Sequence, residues 1–134
     1  MIVFLDTNII LDVILKRQPF YLDSYAVLER IIENDMTAYV SASCITDIFY
    51  IAKKVIKNNN NTTKAALTKL LTFIDVVSIT KVDILKALKS ELDDFEDALQ
   101  IHCALKIKAS HIITRDTRIN GDFIKIIAPS SFCE

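Results

Sequence analysis

Short apolar runs alternate along the chain with longer segments in which apolar residues recur at helical spacing. Residues 2–5 form a continuous apolar run of strand length, as expected of a strand that is covered on both faces. Similar runs predict four further strands, at residues 37–40, 76–79, 111–114 and 123–127. The segments between them predict six helices. One ends at Leu15, one starts at Pro19, and the other four cover residues 45–57, 62–73, 80–90 and 95–105.

Strands that alternate with helices indicate the α/β class, and we expect a three-layer α/β/α sandwich with a central, mostly parallel sheet. Residues suited to N-capping precede several of the helices and support their predicted starts: Ser43, Thr62 or Thr63, and Thr80.

Composition bounds the class of protein. A chain of 134 residues, of which 51% are hydrophobic, can bury the core of one domain, and we expect residues 1–134 to form it. No apolar stretch approaches the roughly 20 residues of a membrane helix, so the sequence predicts a cytoplasmic protein without a membrane partner. The cysteines Cys44, Cys103 and Cys133 form no paired motif and are odd in number, which argues against a disulfide framework or a zinc site. Cys44 and Cys103 lie in apolar stretches and are expected to be small buried hydrophobes.

The net charge of −1 argues against a protein that coats DNA through a broad basic face. It does not exclude an enzyme that acts on nucleic acid, because bound metal ions can offset a locally acidic site. Charge therefore constrains how a nucleic acid would be held, rather than whether one binds.

Two carboxylates follow predicted strands closely. Asp6 comes directly after residues 2–5, and Asp116 comes after the run at 111–115. The carboxyl ends of parallel strands meet at one edge of a sheet, where functional groups collect. For either residue alone, an ordinary surface loop is an equally good interpretation, because such loops are rich in aspartate.

Further candidates lie on predicted helices. At about 100° per residue, Asp94 and Asp97 are about 60° apart and could face one site. For Asp94 the favoured interpretation is an N-cap, whereas for Asp97 a helix-dipole role and a role in a site are equally good. Asp47 lies about 130° from the centre of the apolar stripe of its helix, facing either solvent or a cleft. Asp12 is expected to face solvent or to lie at a helix end.

Convergence of three or four of these carboxylates would require a cation. Two like charges about 4 Å apart repel by ~4 kcal/mol at an effective dielectric constant of about 20, a large fraction of the stability of a small domain. Hard divalent cations prefer carboxylate oxygens, and Mg²⁺ typically keeps several waters, one of which can be activated as a nucleophile. Such a cluster would therefore suit hydrolysis assisted by a divalent metal.

Other chemistries find little support in the sequence. It contains neither a glycine-rich phosphate loop nor a serine nucleophile elbow. His102 and His111 have no metal-ligand spacing to another histidine or cysteine, which favours structural roles. Arg115 and Arg118 flank Asp116 and are the basic residues best placed to meet a phosphate backbone.

The order and spacing of four motifs resemble the PIN domain ribonucleases, a family that includes the VapC-like toxins of bacterial toxin–antitoxin pairs. The resemblance covers essentially the whole chain. The motifs are FLDTN at residues 4–8, SASCITDIFYIAKK at 41–54, DFEDALQIHCA at 94–104 and IITRD at 112–116.

This resemblance implies an endoribonuclease that depends on Mg²⁺ or Mn²⁺ and hydrolyses RNA phosphodiester bonds. It assigns the metal to Asp6, Asp97 and Asp116, and it adds Asp47 to the catalytic set, where most relatives carry Glu and a subgroup carries Asp. It gives supporting roles to Thr7, Asn8, Asp94 and Thr114. The Asp122-Phe123 pair resembles an Asp-Phe pair of the family, after a slightly longer loop. The implied partners are an RNA substrate, an antitoxin if the chain is the toxin of a type II pair, and a second copy in a homodimer.

Two alternatives stand beside this interpretation. A non-catalytic PIN-like module that binds RNA or protein would be expected to have lost one or more of the four carboxylates. A phosphatase or phosphotransferase of another α/β type would carry Asp-x-Asp after the first strand, whereas Asp6 is followed here by Thr7 and Asn8.

Overall fold

The computed structural model describes residues 1–56, 60–116 and 124–134. Within these ranges the chain forms five strands and seven helices. In chain order they are β1 (Ile2–Leu5), α1 (Thr7–Ile14), α2 (Tyr21–Glu33), β2 (Thr37–Ser41), α3 (Ala42–Val55), α4 (Asn60–Leu70), β3 (Ile74–Val77), α5 (Lys81–Leu88), α6 (Phe95–Lys106), β4 (His111–Ile113), β5 (Lys125–Ile127) and α7 (Pro129–Phe132).

The strands form one sheet in the order β3-β2-β1-β4-β5, and every neighbouring pair is parallel. The chain moves from β1 outwards through β2 to β3 and then returns to the other side of β1 for β4 and β5. Such a reversal opens a crevice at the carboxyl ends of the central strands, where α/β proteins bind ligands. In this sheet the crevice lies beyond β1 and β4.

Both faces of the sheet are covered, which produces the three layers. Val3 and Leu5 of β1 pack in a cluster with α1, α2 and α3, whereas Phe4 packs on the opposite face with α6 residues such as Ile101. This alternation follows from the two-residue period of a strand. The predicted α/β/α sandwich with a parallel central sheet is therefore confirmed. Within the described ranges, no helix combines the length and the apolar character needed to cross a membrane.

Several element boundaries differ from the sequence prediction. Strand β3 begins two residues earlier than predicted, because Ile74 and Val77 are its buried positions in register with β2. Helix α3 begins at Ala42 with Ser41 as its N-cap, two residues earlier than a cap at Ser43 would allow. Helix α4 begins at Asn60, before the predicted caps Thr62 and Thr63.

One carboxylate ties α5 to α6. Asp83 forms a capping box with Thr80 at the start of α5, so the predicted Thr80 cap is confirmed. The Asp83 carboxylate also accepts a hydrogen bond from Lys106 Nζ at 2.9 Å and is bonded to His102 Nε2 at 2.8 Å. The bond from Lys106 holds the pKa of Asp83 well below its usual value, with further contributions from the Thr80 backbone and from His102. His102 therefore lies in a contact between helices.

We expect the wild-type protein to lose stability in acid more steeply than the Asp83→Asn variant. A carboxyl group whose pKa is lowered by folding stabilises the protein above its unfolded pKa of about 4 and loses that contribution as the pH falls further. Urea unfolding between about pH 5 and pH 2 measures the difference, with Asp75→Asn, an exposed carboxylate of β3, as the control. An equal pH dependence of the wild type and Asp83→Asn would contradict the prediction.

Candidate active site

An open cavity of about 340 Å³ lies at the carboxyl edge of the sheet, beside the ends of β1 and β2. The first turns of three helices, α1, α3 and α6, form much of its wall. Its lining residues are Asp6, Thr7, Asn8, Ser41, Ser43, Asp47, Phe95, Glu96, Asp97, Leu99, Gln100 and Asp116.

The cavity contains all four carboxylates that the sequence and the family resemblance nominate. Asp6 is the residue between β1 and α1, and its backbone N–H donates to Ile113 O of β4 at 3.0 Å. Asp47 projects from the exposed side of α3, Asp97 from the first turn of α6, and Asp116 from the segment after β4. Asp6, Asp97 and Asp116 thus come from three separate segments of the chain. They meet Asp47 of α3 at one edge of the sheet.

Thr114 links the carboxylate of Asp6 to the backbone of Asp116. Its fully buried hydroxyl donates to Asp6 Oδ2 at 2.7 Å and accepts a hydrogen bond from the Asp116 backbone N–H at 2.9 Å. The contact fixes the orientation of the Asp6 side chain relative to the segment that carries Asp116. Thr114 is therefore placed to orient Asp6, and its supporting role in a reaction stays a prediction.

Gln100 is a cavity residue that the sequence analysis does not single out. Its Nε2 donates to Asp6 Oδ1 at 3.1 Å, so Asp6 receives one hydrogen bond on each carboxylate oxygen. The signal in the sequence was its position three residues after Asp97, about 60° away on the same helix. Amide side chains are common on helix surfaces, however, and the partner of Gln100, Asp6, lies on a distant part of the chain.

Negative charge is concentrated in the cavity. The pKa of Asp97 is raised first by its partial burial and then by the carboxylates of Asp94, Asp116, Asp6 and Glu96. The amino ends of α1, α3 and α6 also meet here, and the positive ends of their dipoles offset part of this charge. Asp94 accepts a hydrogen bond from the Asp97 backbone N–H at 3.0 Å, which confirms the predicted N-cap.

The atoms in the cavity that could coordinate a metal ion are carboxylate, hydroxyl and amide oxygens, the ligand class that Mg²⁺ and Mn²⁺ accept. As the side chains stand, no group of three His, Cys, Asp or Glu residues within 1–56, 60–116 and 124–134 is arranged to hold one metal ion. The chemistry of the donor set fits a hard divalent cation bound through fewer direct ligands. Mg²⁺ typically uses one or two carboxylates and retains several waters.

A buried thiol lies close to the acidic side chains. Burial raises the pKa of Cys44 to about 11, a hydrogen bond with Thr7 acts in the opposite direction, and the charges of Asp6 and Asp47 raise it further. Cys44 therefore stays a neutral thiol. Its burial, together with that of Cys103, confirms the prediction of two small buried hydrophobes.

The prediction that Asp12 faces solvent is wrong, whereas the alternative prediction of a helix end agrees with its position in the last turn of α1. Its carboxylate is fully buried in α1, where Arg17 Nε donates to Oδ1 at 3.0 Å and Ser24 Oγ donates to Oδ2 at 2.9 Å. Arg115 donates from Nε to Oδ2 at 2.8 Å and from a terminal nitrogen to Oδ1 at 3.1 Å. Two arginines compensate the cost of burying this charge.

These contacts describe the surroundings of Arg115. Its guanidinium group is bonded to Asp12 and lies 3.7 Å from the centre of the Phe20 ring, and its contact with a phosphate backbone stays a prediction. Arg17 in turn donates to Asn8 Oδ1 at 3.1 Å, so the ion pairs of Asp12 contact one residue of the cavity wall, Asn8, while Arg115 directly precedes another, Asp116. Arg118 and the Asp122-Phe123 pair lie outside the described residues.

The chain is similar to known proteins over nearly its whole length. The sequence model of the PIN domain matches residues 2–118. Ribonuclease VapC1 from Aquifex aeolicus is 23% identical over 137 residues, which cover 98% of this chain and 93% of that protein.

Solved structures share the fold at low sequence identity. VapBC2 from Rickettsia felis, bound to a DNA fragment from its promoter, superposes with a TM-score of 0.69 and 18% identity, covering 96% of this chain and 98% of that one. A toxin–antitoxin complex from Klebsiella pneumoniae gives 0.67 and 17%, covering 95% and 97%. VapC20 from Mycobacterium tuberculosis, described as a sarcin-ricin loop cleaving toxin, gives 0.66 and 14%, covering 87% and 92%.

The sequence match spans most of the chain, and the parallel sheet with its acidic edge agrees with it. This chain belongs to the PIN domain family.

Proposed function

We propose that this protein is a metal-dependent endoribonuclease that hydrolyses RNA phosphodiester bonds, and that it is the toxin of a type II toxin–antitoxin pair. The observation that carries the proposal is the position of Asp6, Asp47, Asp97 and Asp116 around one cavity of a PIN domain. The similarity to a protein named ribonuclease and to a toxin described as cleaving the sarcin-ricin loop supports RNA as the substrate.

Asp6, Asp97 and Asp116 would hold Mg²⁺ or Mn²⁺, with some of their contacts made through water. Bound there, such an ion polarises the phosphate and stabilises the charge that develops on the attacking and leaving oxygens. Thr114 and Gln100 hold the Asp6 carboxylate in one orientation through their two hydrogen bonds. Thr7 and Asn8 complete the wall next to Asp6.

Asp47 approaches the cavity from α3, away from the Asp6–Thr114–Asp116 contacts, and is suited to orient the attacking water. The oxygen of that water bonds to phosphorus while the bond from phosphorus to the leaving ribose oxygen breaks. A carboxylate accepts the proton that the water gives up, and the leaving oxygen takes a proton from solvent. The reaction needs neither a covalent intermediate on the protein nor a redox partner.

The rival function is a PIN module that binds RNA or protein without cutting. Incubation with a mixed pool of RNA, with Mn²⁺ and with excess EDTA, separates the two. We expect fragments in Mn²⁺ and intact RNA in EDTA. Intact RNA in both conditions, from protein that is folded and free of any partner, would favour the binding module.

A variant at Gln100 tests the local organisation of the cavity. Gln100→Met removes the donor to Asp6 Oδ1 while keeping the length of the side chain, and we expect the Mn²⁺ concentration for half-maximal cleavage to rise about 10-fold. Leu105→Met, at an exposed position of the same helix, is the matched control. Unchanged metal dependence in Gln100→Met would show that Gln100 does not organise Asp6.

We further propose that an antitoxin covers the cavity, that a second copy of the chain forms a homodimer, and that the protein acts in the cytoplasm. The antitoxin is supported by the similarity to a toxin–antitoxin complex. An interface with another protein is supported by α5, where a contiguous exposed face carries the apolar side chains of Val82, Ile84, Leu85 and Leu88.

A further inference from the structure

One amide group in the wall of the cavity is held from behind by an arginine. Asn8, in the first turn of α1, lines the cavity beside Asp6. Arg17 Nη2 donates to the side-chain oxygen of Asn8, Oδ1, at 3.1 Å and to its backbone oxygen at 3.4 Å. A guanidinium group carries only donors, so the atom of the amide that faces it has to be the oxygen. The contact therefore decides which way the Asn8 amide points.

Arg17 is itself fixed by a buried charge. Its Nε donates to Asp12 Oδ1 at 3.0 Å, and Asp12 is fully buried. Ser24 and Arg115 donate to the other oxygen of the same carboxylate, which holds it in place. The planar guanidinium group thus contacts Asp12 on one side and Asn8 on the other. Rotation of the amide by 180° would turn its N–H group towards these donors and lose the hydrogen bond.

The nitrogen of the same amide is left for the cavity. Within the described residues, Asn8 Nδ2 donates to no other group. No side-chain nitrogen or oxygen in that part of the chain is both buried and unpaired, so Nδ2 is open to solvent. The neighbouring carboxylate of Asp6 receives its donors from Thr114 and Gln100 instead. Because an amide N–H group only donates, it serves an acceptor that enters the cavity and does not serve a cation.

We propose that Asn8 donates from Nδ2 to a non-bridging oxygen of the RNA phosphate in the cavity, and that Arg17 is the residue that positions it. The proposal rests on the proposed function and adds a residue that touches the substrate. A phosphate oxygen is an acceptor, and neutral amide side chains are among the groups that contact nucleic-acid phosphates. A neutral donor suits this wall, because it brings no second positive charge to compete with the metal ion for the carboxylates.

The test measures RNA binding separately from metal binding and from cleavage. The probe is a fluorescein-labelled, mixed-sequence single-stranded RNA of about 12 nucleotides, a length that one protein module can contact. Its anisotropy is followed on addition of the full chain in Ca²⁺, a cation that also binds oxygen ligands, and a gel shows that the probe stays intact. The affinity for Mn²⁺ is measured without RNA, from the electron paramagnetic resonance signal of the free ion.

Variants of Asn8 remove the donor or replace it. We expect Asn8→Ala to weaken RNA binding about 10-fold, the effect of losing one hydrogen bond to a charged group. Its Kd for Mn²⁺ should stay within about twofold of the wild type, because the amide oxygen faces Arg17 and is not a metal ligand. Asn8→Asp keeps the acceptor for Arg17 and places a carboxylate oxygen where the donor was, so it should bind the probe more weakly than Asn8→Ala does.

Variants of Arg17 test the positioning role. Arg17→Met removes the donors, and we expect it to weaken RNA binding about 10-fold in the wild-type background. In the Asn8→Ala background it should change the affinity by less than about twofold, because no amide is left to orient. A purely structural or charge effect of Arg17 would persist in that background. Arg17→Lys keeps one donor and should restore part of the affinity, and thermal unfolding shows that each variant is folded at the assay temperature.

Matched controls lie at the opposite edge of the sheet. Arg30→Met removes the same charge and Asn34→Ala removes an exposed amide, both at the end of α2. These two residues line a separate cavity with Met1 and His111, beside the starts of β1 and β4. Both variants should bind the probe like the wild type.

The outcomes distinguish this proposal from the proposed function. If the wild type cleaves RNA but Asn8→Ala binds the probe normally, Asn8 does not contact the phosphate, although the nuclease assignment stands. If Asn8→Ala weakens Mn²⁺ binding as much as RNA binding, the amide acts on the metal and the proposal is overturned. If Asn8→Ala loses RNA binding alone while the wild type cleaves nothing in Mn²⁺, the phosphate contact stands and the nuclease assignment fails. Absence of binding by the wild type would overturn the contact as well.

Discussion

Asp6→Asn should lower kcat/KM for RNA cleavage by about 10³-fold or more. Asp6 is the carboxylate on which the described contacts converge: Thr114 and Gln100 donate to its two oxygens, and Thr114 also holds Asp116. A neutral amide supplies one oxygen and no charge, which weakens the metal ligand that we propose at this position. Charge stabilisation by a metal is worth several kcal/mol in the transition state, and about 4 kcal/mol corresponds to about 10³ in rate.

The matched control is Asp93→Asn, which removes an exposed carboxylate near the start of α6 that does not line the cavity. It should cleave RNA like the wild type. Thermal unfolding of both variants shows whether the fold is intact, and Mn²⁺ titration shows whether the loss follows metal binding. Full activity of a folded Asp6→Asn variant at saturating Mn²⁺ would exclude Asp6 as a metal ligand in catalysis.

The fold could be predicted from the sequence because its signals are local. The apolar run at β1 and the stripe of α3 each specify an element and its buried face without reference to the rest of the chain. The boundary of β3 could not be predicted in the same way, because residues 73–79 are largely apolar. Pairing with β2 decides which of these residues form the strand, and pairing is a property of the assembled sheet.

The residues of the candidate site also differ in whether local sequence or only the folded chain reveals their position. The strand-end rule nominates Asp6 and Asp116 from their positions in the sequence alone. The position of Asp47 on its helix shows that it avoids the core, whereas only the folded chain shows that a cavity lies beside it. The burial of Asp12 was unpredictable because its main partner, Arg115, is 103 residues away in sequence. The sequence around Asp12 does not indicate that an arginine so far along the chain pairs with it.

Asp12→Asn should lower the free energy of unfolding by about 3 kcal/mol. Breaking a buried ion pair by removing one partner costs about 3–5 kcal/mol, because the remaining charge is left without compensation. Here the two arginine side chains keep 32% and 24% of their surface exposed, so water can hydrate them in part and the cost falls at the lower end. For a chain of this length, about 3 kcal/mol corresponds to a decrease in Tm of about 10 °C.

Urea unfolding and calorimetry measure this change, with Asp75→Asn on β3 as a surface control that should stay within about 0.5 kcal/mol of the wild type. Because Arg115 is followed directly by Asp116, the same substitution should loosen the segment that carries this cavity residue. Cleavage measured well below both melting temperatures should therefore fall in Asp12→Asn and stay normal in Asp75→Asn. A variant with unchanged stability would mean that Asp12 is not held as a buried charge between Arg17 and Arg115.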